Sequence, residues 1–305
     1  MKKDLLTAYV ALGAICIIWG TTYLALRIGV LHFPPFLFVV IRQLASGTLL
    51  GAFAFIFAKA PWPSRANVIR QAIAGFFMIT LGNGLVAYAE VSIPSGVAAI
   101  LCSLMPMMVI LINLTISRDE RPTLPIFFGV FIGLLGIVMI FSEHLRDFAN
   151  FDYQVGILLI FTAVVSWAGA SVWLKKENSE GNLFLNTALQ MLFGGIWVIP
   201  CVFLFDDLNA IRWSLEAGIS MGYLIVFGSI IAYACYSYAL RKLPLTILSL
   251  YAYVNPVVAV VLGWIVLNEK LNVTIALAIC VTIAGIYIVN RGYFHRKQWK
   301  TQVTR

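Results

Sequence analysis

Long apolar runs alternate with short polar segments along nearly the whole chain. A helix needs about 20 residues to cross the hydrocarbon of a bilayer, and ten runs reach roughly that length. They cover residues 7–30, 35–58, 68–90, 95–117, 122–142, 153–174, 183–205, 215–240, 245–267 and 272–290. Because helices satisfy their own backbone hydrogen bonds in lipid, the pattern predicts an all-α integral membrane protein with ten transmembrane helices.

The amino-acid composition excludes several other classes of protein. Of the 305 residues, 61% are hydrophobic and only 11% are charged, against about 25% charged residues in an average soluble domain. So few charges cannot cover the surface of a cytosolic enzyme or support a disordered chain. The net charge of +8 comes from basic residues scattered singly or in pairs, which is not the footprint of a nucleic-acid binder. Membrane lipids are the expected surroundings, and no nucleic acid is expected as a partner.

The distribution of basic residues predicts the orientation. If the N-terminus lies in the cytoplasm and the runs alternate in direction, sixteen of the 21 lysines and arginines fall inside and three outside, with two in the spans. Basic residues accumulate on the cytoplasmic side of membrane proteins. We therefore expect a multi-pass protein of the plasma (inner) membrane with both termini cytoplasmic. Residues 291–305 form a basic tail, and anionic lipid headgroups are its expected neighbours.

Residues of the same type recur at a nearly constant interval. The pairs are Trp19 and Trp167, 148 positions apart, and Tyr88 and Tyr238, Pro94 and Pro244, and Pro106 and Pro256, each 150 apart. This spacing predicts two five-helix repeats, residues 1–151 and 152–290. Because five is odd, the second repeat enters the membrane from the opposite side. Inverted repeats are typical of transporters, which bind substrate between the halves near the midplane.

Four segments carry a resemblance to a known family. They are IIWGTTYLALRIG at 17–29, IRQLASGTLL at 41–50, GNGLVAYAEVSIPSGVAAILCSLMP at 82–106 and YSYALRKLPLTILSLYAYVNPVVAVVLGWIVLNEKL at 236–271. Over its whole length the chain resembles the EamA-type transporters of the drug/metabolite transporter superfamily. The resemblance implies ten helices in two halves and an inner-membrane carrier. Many such carriers export amino acids or related metabolites.

Charged residues within the spans are few, which makes them candidates for function. Arg27, Arg42 and Glu90 are the three, and the predicted topology places all of them in the outer half of the membrane. Together they suggest a polar outer cavity of net charge +1, suited to a carboxylate or a zwitterion. The alternative is that they snorkel towards the headgroups or form a structural Arg–Glu pair, and the sequence leaves both interpretations open.

Aromatic and amide side chains in the spans are further candidates for substrate binding. They are Trp19, Tyr23, Asn83, Trp167, Tyr233, Tyr236, Tyr251 and Asn255. Aromatic rings that face a cavity can stack on an organic solute, although the same rings can simply fill the core. A buried amide needs hydrogen-bond partners, which a solute or the protein itself can supply.

Other chemical motifs fail on position or spacing. The five cysteines form no C-x-x-C pair and the three histidines lie far apart, so we expect no metal site and no cofactor. GNGLVA at 82–87 matches G-x-G-x-x-A but lies inside a span, where a dinucleotide fingerprint would need a preceding strand. Its glycines are better suited to close helix contact or a local kink.

These observations predict a secondary transporter, with no enzymatic activity. It would move small organic metabolites, such as amino acids or related carboxylates, out of the cell by alternating access. One alternative is a membrane-embedded enzyme or lipid-handling protein, which Asp, His or Ser clusters in the spans would favour. Another is a nonspecific drug exporter, which would need an unpaired membrane carboxylate such as Glu90.

Overall fold

The computed structural model describes residues 2–116, 123–141, 150–177, 181–267 and most of 273–292. Within these ranges the regular structure is helical throughout. Seven helices are long and apolar enough to cross a membrane: Asp4–Val30, Pro35–Ile56, Arg65–Ala89, Ser95–Asn113, Phe151–Lys176, Leu183–Phe205 and Leu215–Lys242. Leu124–Gly136 and Leu245–Ala259 are shorter apolar helices. The prediction of an all-α membrane protein is confirmed.

The helices of the first half follow the predicted runs closely. They are α1 (Lys2–Val30), α2 (Pro35–Ile56), α3 (Arg65–Gly75), π1 (Phe76–Gly84), α4 (Leu85–Ala89), α5 (Ser95–Cys102), α6 (Met105–Ile116) and α7 (Leu124–Phe141). Polar residues fix where they begin. The Ser64 hydroxyl accepts the backbone N–H of Asn67 and caps α3, whereas α2 begins with proline, whose missing N–H costs nothing in a first turn.

The second half repeats this order of elements. It contains α8 (Phe151–Lys176), α9 (Leu183–Phe205), a single 3₁₀ turn (Leu208–Ala210), α10 (Leu215–Tyr223), π2 (Leu224–Ile231), α11 (Ala232–Lys242), α12 (Leu245–Leu248) and α13 (Tyr251–Leu267). Asn182 caps α9 by accepting the N–H groups of Phe184 and Leu185. The described residues between 273 and 292 are also helical.

Two helices contain a π segment, in which the backbone winds more widely than in an α-helix. Phe76–Gly84 and Leu224–Ile231 are these segments, and their first residues are 148 positions apart. Gly82 lies in the first, where an added Cβ would sit 2.8 Å from the Trp167 ring. Gly82, the first glycine of the GNG sequence, thus permits close helix contact. Single π turns within α-helices occur frequently at functional sites.

Two further helices are interrupted at a serine. Ser103 lies between α5 and α6, and its hydroxyl donates to the carbonyl of Ile100. Ser249 lies between α12 and α13 and donates to the carbonyl of Thr246 at 3.1 Å. Each hydroxyl bonds to a carbonyl that the interrupted helix leaves without its usual partner, as happens wherever a helix ends.

Helices from the two halves pack against each other. α1 lies against α11 and α13, α2 and α3 lie against α9, and α8 lies against π1 and α4. The main core cluster accordingly mixes residues from both halves, including Ile15, Met78, Ile160, Met191 and Tyr253. Large apolar side chains remain on the outside, which suits a protein whose solvent is lipid.

The two ends of the helical bundle differ in charge. At one end Arg70 forms an ion pair with Glu177 at 3.4 Å, Lys175 donates to the carbonyl of Leu240 at 2.6 Å, and Arg241 donates to Gly181 at 3.1 Å. We call this the basic end. The opposite end carries the loops around His32 and Arg212, where the Arg212 N–H donates to the His32 carbonyl at 2.9 Å.

Candidate functional site

A cavity lies between the two halves of the chain. Its volume is about 110 Å³, whereas a single water needs about 10–15 Å³, so a small organic solute fits. The residues that line it are Trp19, Thr22, Tyr23, Leu26, Arg42, Gly82, Asn83, Val86, Cys102, Met105, Ala163, Val164, Trp167, Gly228, Tyr233, Tyr251 and Asn255. We call it the central cavity.

Five aromatic side chains form a cluster on one side of the central cavity. Trp19 is at its centre, with ring centroids 4.9 Å from Tyr251, 5.3 Å from Tyr236, 5.6 Å from Trp167 and 6.4 Å from Tyr233. Most of these contacts are edge-to-face, the arrangement that the ring quadrupoles favour. We call these residues the aromatic cluster. The sequence predicted all five as candidates, and the structure brings them together.

Hydrogen bonds hold the rings of the cluster in place. Trp19 Nε1 donates to the carbonyl of Gly228 in π2 at 3.0 Å, and Trp167 Nε1 donates to the Tyr236 hydroxyl at 3.2 Å. The Tyr236 hydroxyl also bonds to the Ser171 hydroxyl at 2.6 Å. Tyr236 is therefore occupied within the protein and is absent from the lining of the central cavity, so it supports the two indoles rather than facing a solute.

Arg42 is the one charged side chain among the residues that line the central cavity. It is 5% exposed, and its Nε donates to the Ser229 hydroxyl at 2.8 Å. A guanidinium has five N–H donors, and no other hydrogen bond from Arg42 is present within the described ranges. The remaining donors form a fork that can bind a carboxylate through two parallel hydrogen bonds.

Arg27 and Glu90, the other two charged candidates, do not line the central cavity. Glu90 is fully buried, and neither of its carboxylate oxygens has a hydrogen-bond partner among the described residues. Among the described residues, no arginine lies within 4.0 Å of the Glu90 carboxylate to form an ion pair. The structural Arg–Glu pair, one of the alternatives that the sequence left open, is thus not formed, although the charges of Arg27 and Arg42 act on Glu90 from a greater distance.

Helix geometry explains why Arg27 lies away from the cavity. Trp19, Tyr23 and Arg27 are spaced four residues apart along α1, which keeps them near one face of the helix. Four residues advance an α-helix by roughly 40° past a full turn, so Arg27 is rotated about 80° from Trp19. Trp19 and Tyr23 line the cavity, while the Nη1 of Arg27 is buried without a partner in the described part of the chain.

The two candidate amides line the cavity and bond to the backbone. Asn83 donates to the carbonyl of Met78 at 3.4 Å. The side-chain amide of Asn255 is assigned the orientation in which its nitrogen faces acceptors, and it then donates to the carbonyl of Tyr251 at 2.9 Å and to that of Cys16 at 3.2 Å. These contacts use the donors of both amides to stabilise the irregular helices around the cavity.

Several lining residues were not predicted. Thr22 and Leu26 follow Trp19 by three and seven positions, so helical spacing from Trp19 could have identified them. Cys102 and Met105 lie on either side of the interruption between α5 and α6. Their position depends on that break in the helix, which no local pattern around them indicates.

Two other cavities lie towards the ends of the bundle. A cavity of about 430 Å³ at the opposite end is lined by acidic residues that include Asp152 and Asp206. The Asp206 carboxylate accepts the N–H groups of Leu37 at 2.7 Å and Phe36 at 3.3 Å. Partial burial raises the pKa of Asp206, and these two hydrogen bonds act in the other direction. At the basic end a cavity of about 70 Å³ is lined in part by Lys175 and Gln190.

Metal-binding groupings were sought among the potential ligand side chains. Within the described ranges, no three His, Cys, Asp or Glu side chains converge. The free cysteines there, such as Cys16 and Cys102, are separate from one another.

Comparison with known proteins identifies the family. The model of the EamA-like transporter family matches residues 6–142 and again residues 154–291. The uncharacterized inner membrane transporter YedA of Escherichia coli K12 is 33% identical over 294 residues, covering 96% of this chain and 93% of YedA. The uncharacterized transporter YoaV of Bacillus subtilis is 24% identical and covers 93% of this chain, which spans 97% of YoaV.

A solved crystal structure shares the fold, with a TM-score of 0.73 at 18% identity over 94% of this chain and 97% of the other. The two matches to the family model together cover nearly the entire sequence, as does the alignment with YedA. The chain is therefore a multi-pass inner-membrane protein that belongs to the EamA-like transporter family.

Proposed function

We propose that this protein is a secondary transporter that moves small organic metabolites bearing a carboxylate, such as amino acids, by alternating access. The observation that carries the proposal is Arg42, whose unused donors reach a central cavity that is otherwise uncharged. A carboxylate would bind the guanidinium, and the apolar part of the solute would pack against Trp19 and Trp167. Export is the proposed direction, in line with the family resemblance.

The alternating-access mechanism rests on a proposed inverted repeat of ten transmembrane helices. The family model matches twice, over residues 6–142 and 154–291, close to the proposed repeats of residues 1–151 and 152–290. The π segments and serine interruptions recur in both ranges, and Trp19 contacts Trp167, its counterpart 148 positions later. In such a fold one half rocks against the other around a site at their interface.

The orientation is part of the proposal. We place the basic end in the cytoplasm, because lysine and arginine accumulate on that side of a membrane. Both termini, and the tail of residues 291–305, would then be cytoplasmic. A single cysteine introduced as Lys300→Cys, which lies outside the described residues, should resist an impermeant thiol reagent in intact cells. Rapid labelling there would reverse the orientation.

A nonspecific exporter of cationic drugs is the second candidate, because Glu90 is a buried carboxylate without an ion pair in the described part of the chain. A cationic solute would need to reach that carboxylate. Glu90 does not line the central cavity, whereas Arg42 does and would repel a cation. The carboxylate transporter is the better supported of the two.

Transport in proteoliposomes tests the proposal. The purified protein should exchange an unlabelled amino acid or small carboxylate for its radiolabelled form, with hydrophobic cations as the contrasting set of solutes. Arg42→Ala should weaken binding about tenfold to a hundredfold, since a hydrogen bond to a charged group contributes about 1.5–3 kcal/mol. Lys176→Ala, which changes an exposed lysine at the end of α8, is the control. Equal activity of the two variants would refute the role of Arg42.

A further inference from the structure

The interface between α3 and α9 is in register along three successive helical turns. Both helices begin at the basic end, so they run parallel. Residues 119 positions apart face each other across the interface in the pairs Asn67 and Asn186, Gln71 and Gln190, and Gly75 and Gly194. Each helix contributes one residue per turn at a spacing of four.

The amides form one continuous chain of hydrogen bonds. The Tyr233 hydroxyl donates to Gln190 Oε1 at 2.9 Å, and Gln190 Nε2 donates to Gln71 Oε1 at 2.6 Å. Gln71 Nε2 then donates to Asn67 Oδ1 at 3.0 Å, and Asn67 Nδ2 donates to Asn186 Oδ1 at 2.7 Å. We call Asn67, Gln71, Asn186 and Gln190 the amide ladder. It extends from the wall of the central cavity to the surface of the basic end.

Because the ladder is buried, its hydrogen bonds keep the α3–α9 interface closed while the interface is dry. Water that enters the interface can replace these hydrogen bonds. Gln71 is fully buried, and the side chains of Asn186 and Gln190 are only 4% and 5% exposed. Asn67 is partly exposed. Separating buried amides without water costs about 1–3 kcal/mol for each unsatisfied group. If water enters as they separate, it replaces those hydrogen bonds at little cost. The ladder therefore stabilises a dry, closed interface and still permits a hydrated, open one.

A close helix crossing lies next to the ladder on its cavity side. An added Cβ at Gly75 would lie 3.0 Å from the backbone N of Gly194, and the Thr80 hydroxyl donates to the Gly194 carbonyl at 2.9 Å. Thr80 belongs to π1. The two backbones are thus in contact where the α-helix gives way to the π segment, which provides a fixed point about which the ends with the ladder can separate.

The corresponding helices at the opposite end are not sealed in this way. The proposed repeat pairs α3 with α10 and α9 with α2, so Gln190 corresponds to Arg42. α2 packs against π2 through the Arg42–Ser229 hydrogen bond but makes at most marginal contact with α10. Elsewhere at the same end, a cavity of about 430 Å³ lies between the loop that joins α1 to α2, the start of α8 and the end of α9, compared with about 70 Å³ for the cavity at the basic end.

We propose that the amide ladder is the inner gate of the transporter: it closes the central cavity towards the cytoplasm and separates when the protein opens inward. The inference rests on the proposed function, because a gate implies a cavity that alternates between the two sides of the membrane. Tyr233 connects the two sites, since it lines the central cavity and donates to the ladder. A bound solute that displaces Tyr233 would remove the first hydrogen bond of the ladder.

Access to Cys102 tests the gate without any substrate. Cys102 lines the central cavity and becomes the only thiol when Cys16, Cys201, Cys235 and Cys280 are changed to alanine. Right-side-out and inside-out vesicles are treated with an impermeant thiosulfonate. We expect slow labelling from the cytoplasmic side in this background. The variant Gln71→Leu should raise that rate about tenfold or more, because it leaves Gln190 Nε2 buried without its acceptor in the closed interface, which costs about 1–3 kcal/mol.

Gln43→Leu is the matched control, because Gln43 is a buried glutamine on α2 that does not belong to the ladder. Its labelling should stay at the background rate. An unchanged cytoplasmic rate in the ladder variant, or an equal rise in the control, would overturn the proposal. Because labelling needs no solute, it remains informative even if no metabolite is transported, so failure of the gate and failure of the proposed function are distinguishable.

Cross-linking gives a second test that leaves the Gln71–Gln190 hydrogen bond of the ladder in place. Asn67→Cys/Asn186→Cys, in a background without other cysteines, is treated with a short bifunctional thiosulfonate. Exchange transport should stop and return after reduction, because a closed ladder cannot separate. Each single cysteine variant serves as a control for the reagent. Full transport by the cross-linked protein would show that the cytoplasmic opening does not involve this interface.

Discussion

The interface of α3 with α9 and the interface of α10 with α2 occupy corresponding places in the proposed repeat, at the two ends of the bundle. The first is continuous and is joined by the amide ladder, while α10 and α2 are at most in marginal contact. At one corresponding position the second half carries Gln190 and the first half carries Arg42. An amide can both donate and accept, so Gln190 joins two helices, whereas Arg42 can only donate and keeps donors for a solute.

This difference indicates how a repeated fold can become a transporter. If both halves carried glutamine at this position, each end could seal but nothing in the cavity would attract a carboxylate. If both carried arginine, the second guanidinium would be buried in the α3–α9 interface without a carboxylate partner, at a high electrostatic cost. One arginine and one glutamine provide a binding group and a gate from the same position.

The largest effect on stability should come from the close crossing beside the ladder. Gly75→Ala adds a Cβ against the backbone of α9, and overpacking of this kind costs about 1–3 kcal/mol. Gly169→Ala is the control, because no atom lies within 4 Å of its added Cβ, and alanine should stabilise that helix by up to about 1 kcal/mol. Thermal unfolding in detergent should therefore shift in opposite directions. If both variants shifted the unfolding temperature in the same direction, Gly75 would not be needed for close contact between the two helices.

The second largest effect should come from replacing Arg42 with glutamine, the residue at the corresponding position of the other half, and it should appear in substrate binding. Arg42→Gln installs the side chain of the corresponding position, and it should weaken carboxylate binding by about tenfold or more, because the charged fork is lost. Arg42→Lys should bind more tightly than Arg42→Gln, since it keeps a charge without the planar fork. Equilibrium binding of the best transported carboxylate measures both. If Arg42→Gln binds as well as the parent protein, the carboxylate is held elsewhere.

The two indoles should contribute less than Arg42. Trp19→Phe removes the donor to the Gly228 carbonyl in π2, and a neutral hydrogen bond contributes about 0.5–1.5 kcal/mol. We expect a loss of about twofold to tenfold in substrate affinity, because the ring cluster loses a fixed orientation. Trp167→Phe should behave similarly, as its bond to Tyr236 has the same role. If either variant lost as much substrate affinity as Arg42→Gln, the expectation that the indoles contribute less than Arg42 would be wrong.

The smallest effect should come from the surface of the basic end. Arg70 pairs with Glu177 at 3.4 Å, but both side chains are substantially exposed, and surface ion pairs contribute about 0–1 kcal/mol. Arg70→Ala should therefore leave the cytoplasmic labelling of Cys102 unchanged. If its labelling rate rises as far as that of the ladder variant, the ion pair rather than the ladder would be what holds this end closed.

The sequence predicted most of the features that depend on one helix at a time. Hydropathy located the seven long apolar helices that the structure describes. The repeat spacing paired Trp19 with Trp167, and the structure places these two residues in contact. Arg42 was predicted because a charge at that depth in a membrane is costly without a function. These predictions needed only the pattern of apolar residues, the spacing of repeated residues and the position of a charge along its transmembrane span.

Features that depend on how helices are rotated and paired could not be predicted. Depth along a helix placed Arg27 and Glu90 beside Arg42, yet neither lines the central cavity, because depth does not give rotation about the helix axis. The ladder was missed for a related reason. Gln71 and Gln190 become partners only when α3 and α9 pack in parallel and in register, and neither sequence segment specifies its neighbour.

Protection of Cys102 by a transported solute tests the central claim most directly, namely that the central cavity is the substrate site. Cys102 and Arg42 both line this cavity. With Cys102 as the only thiol, each transported carboxylate should slow its labelling from the opposite end, in the same order as the transport affinities, and Arg42→Ala should abolish the protection. A solute that is transported efficiently but leaves the labelling of Cys102 unchanged would show that the substrate binds outside this cavity.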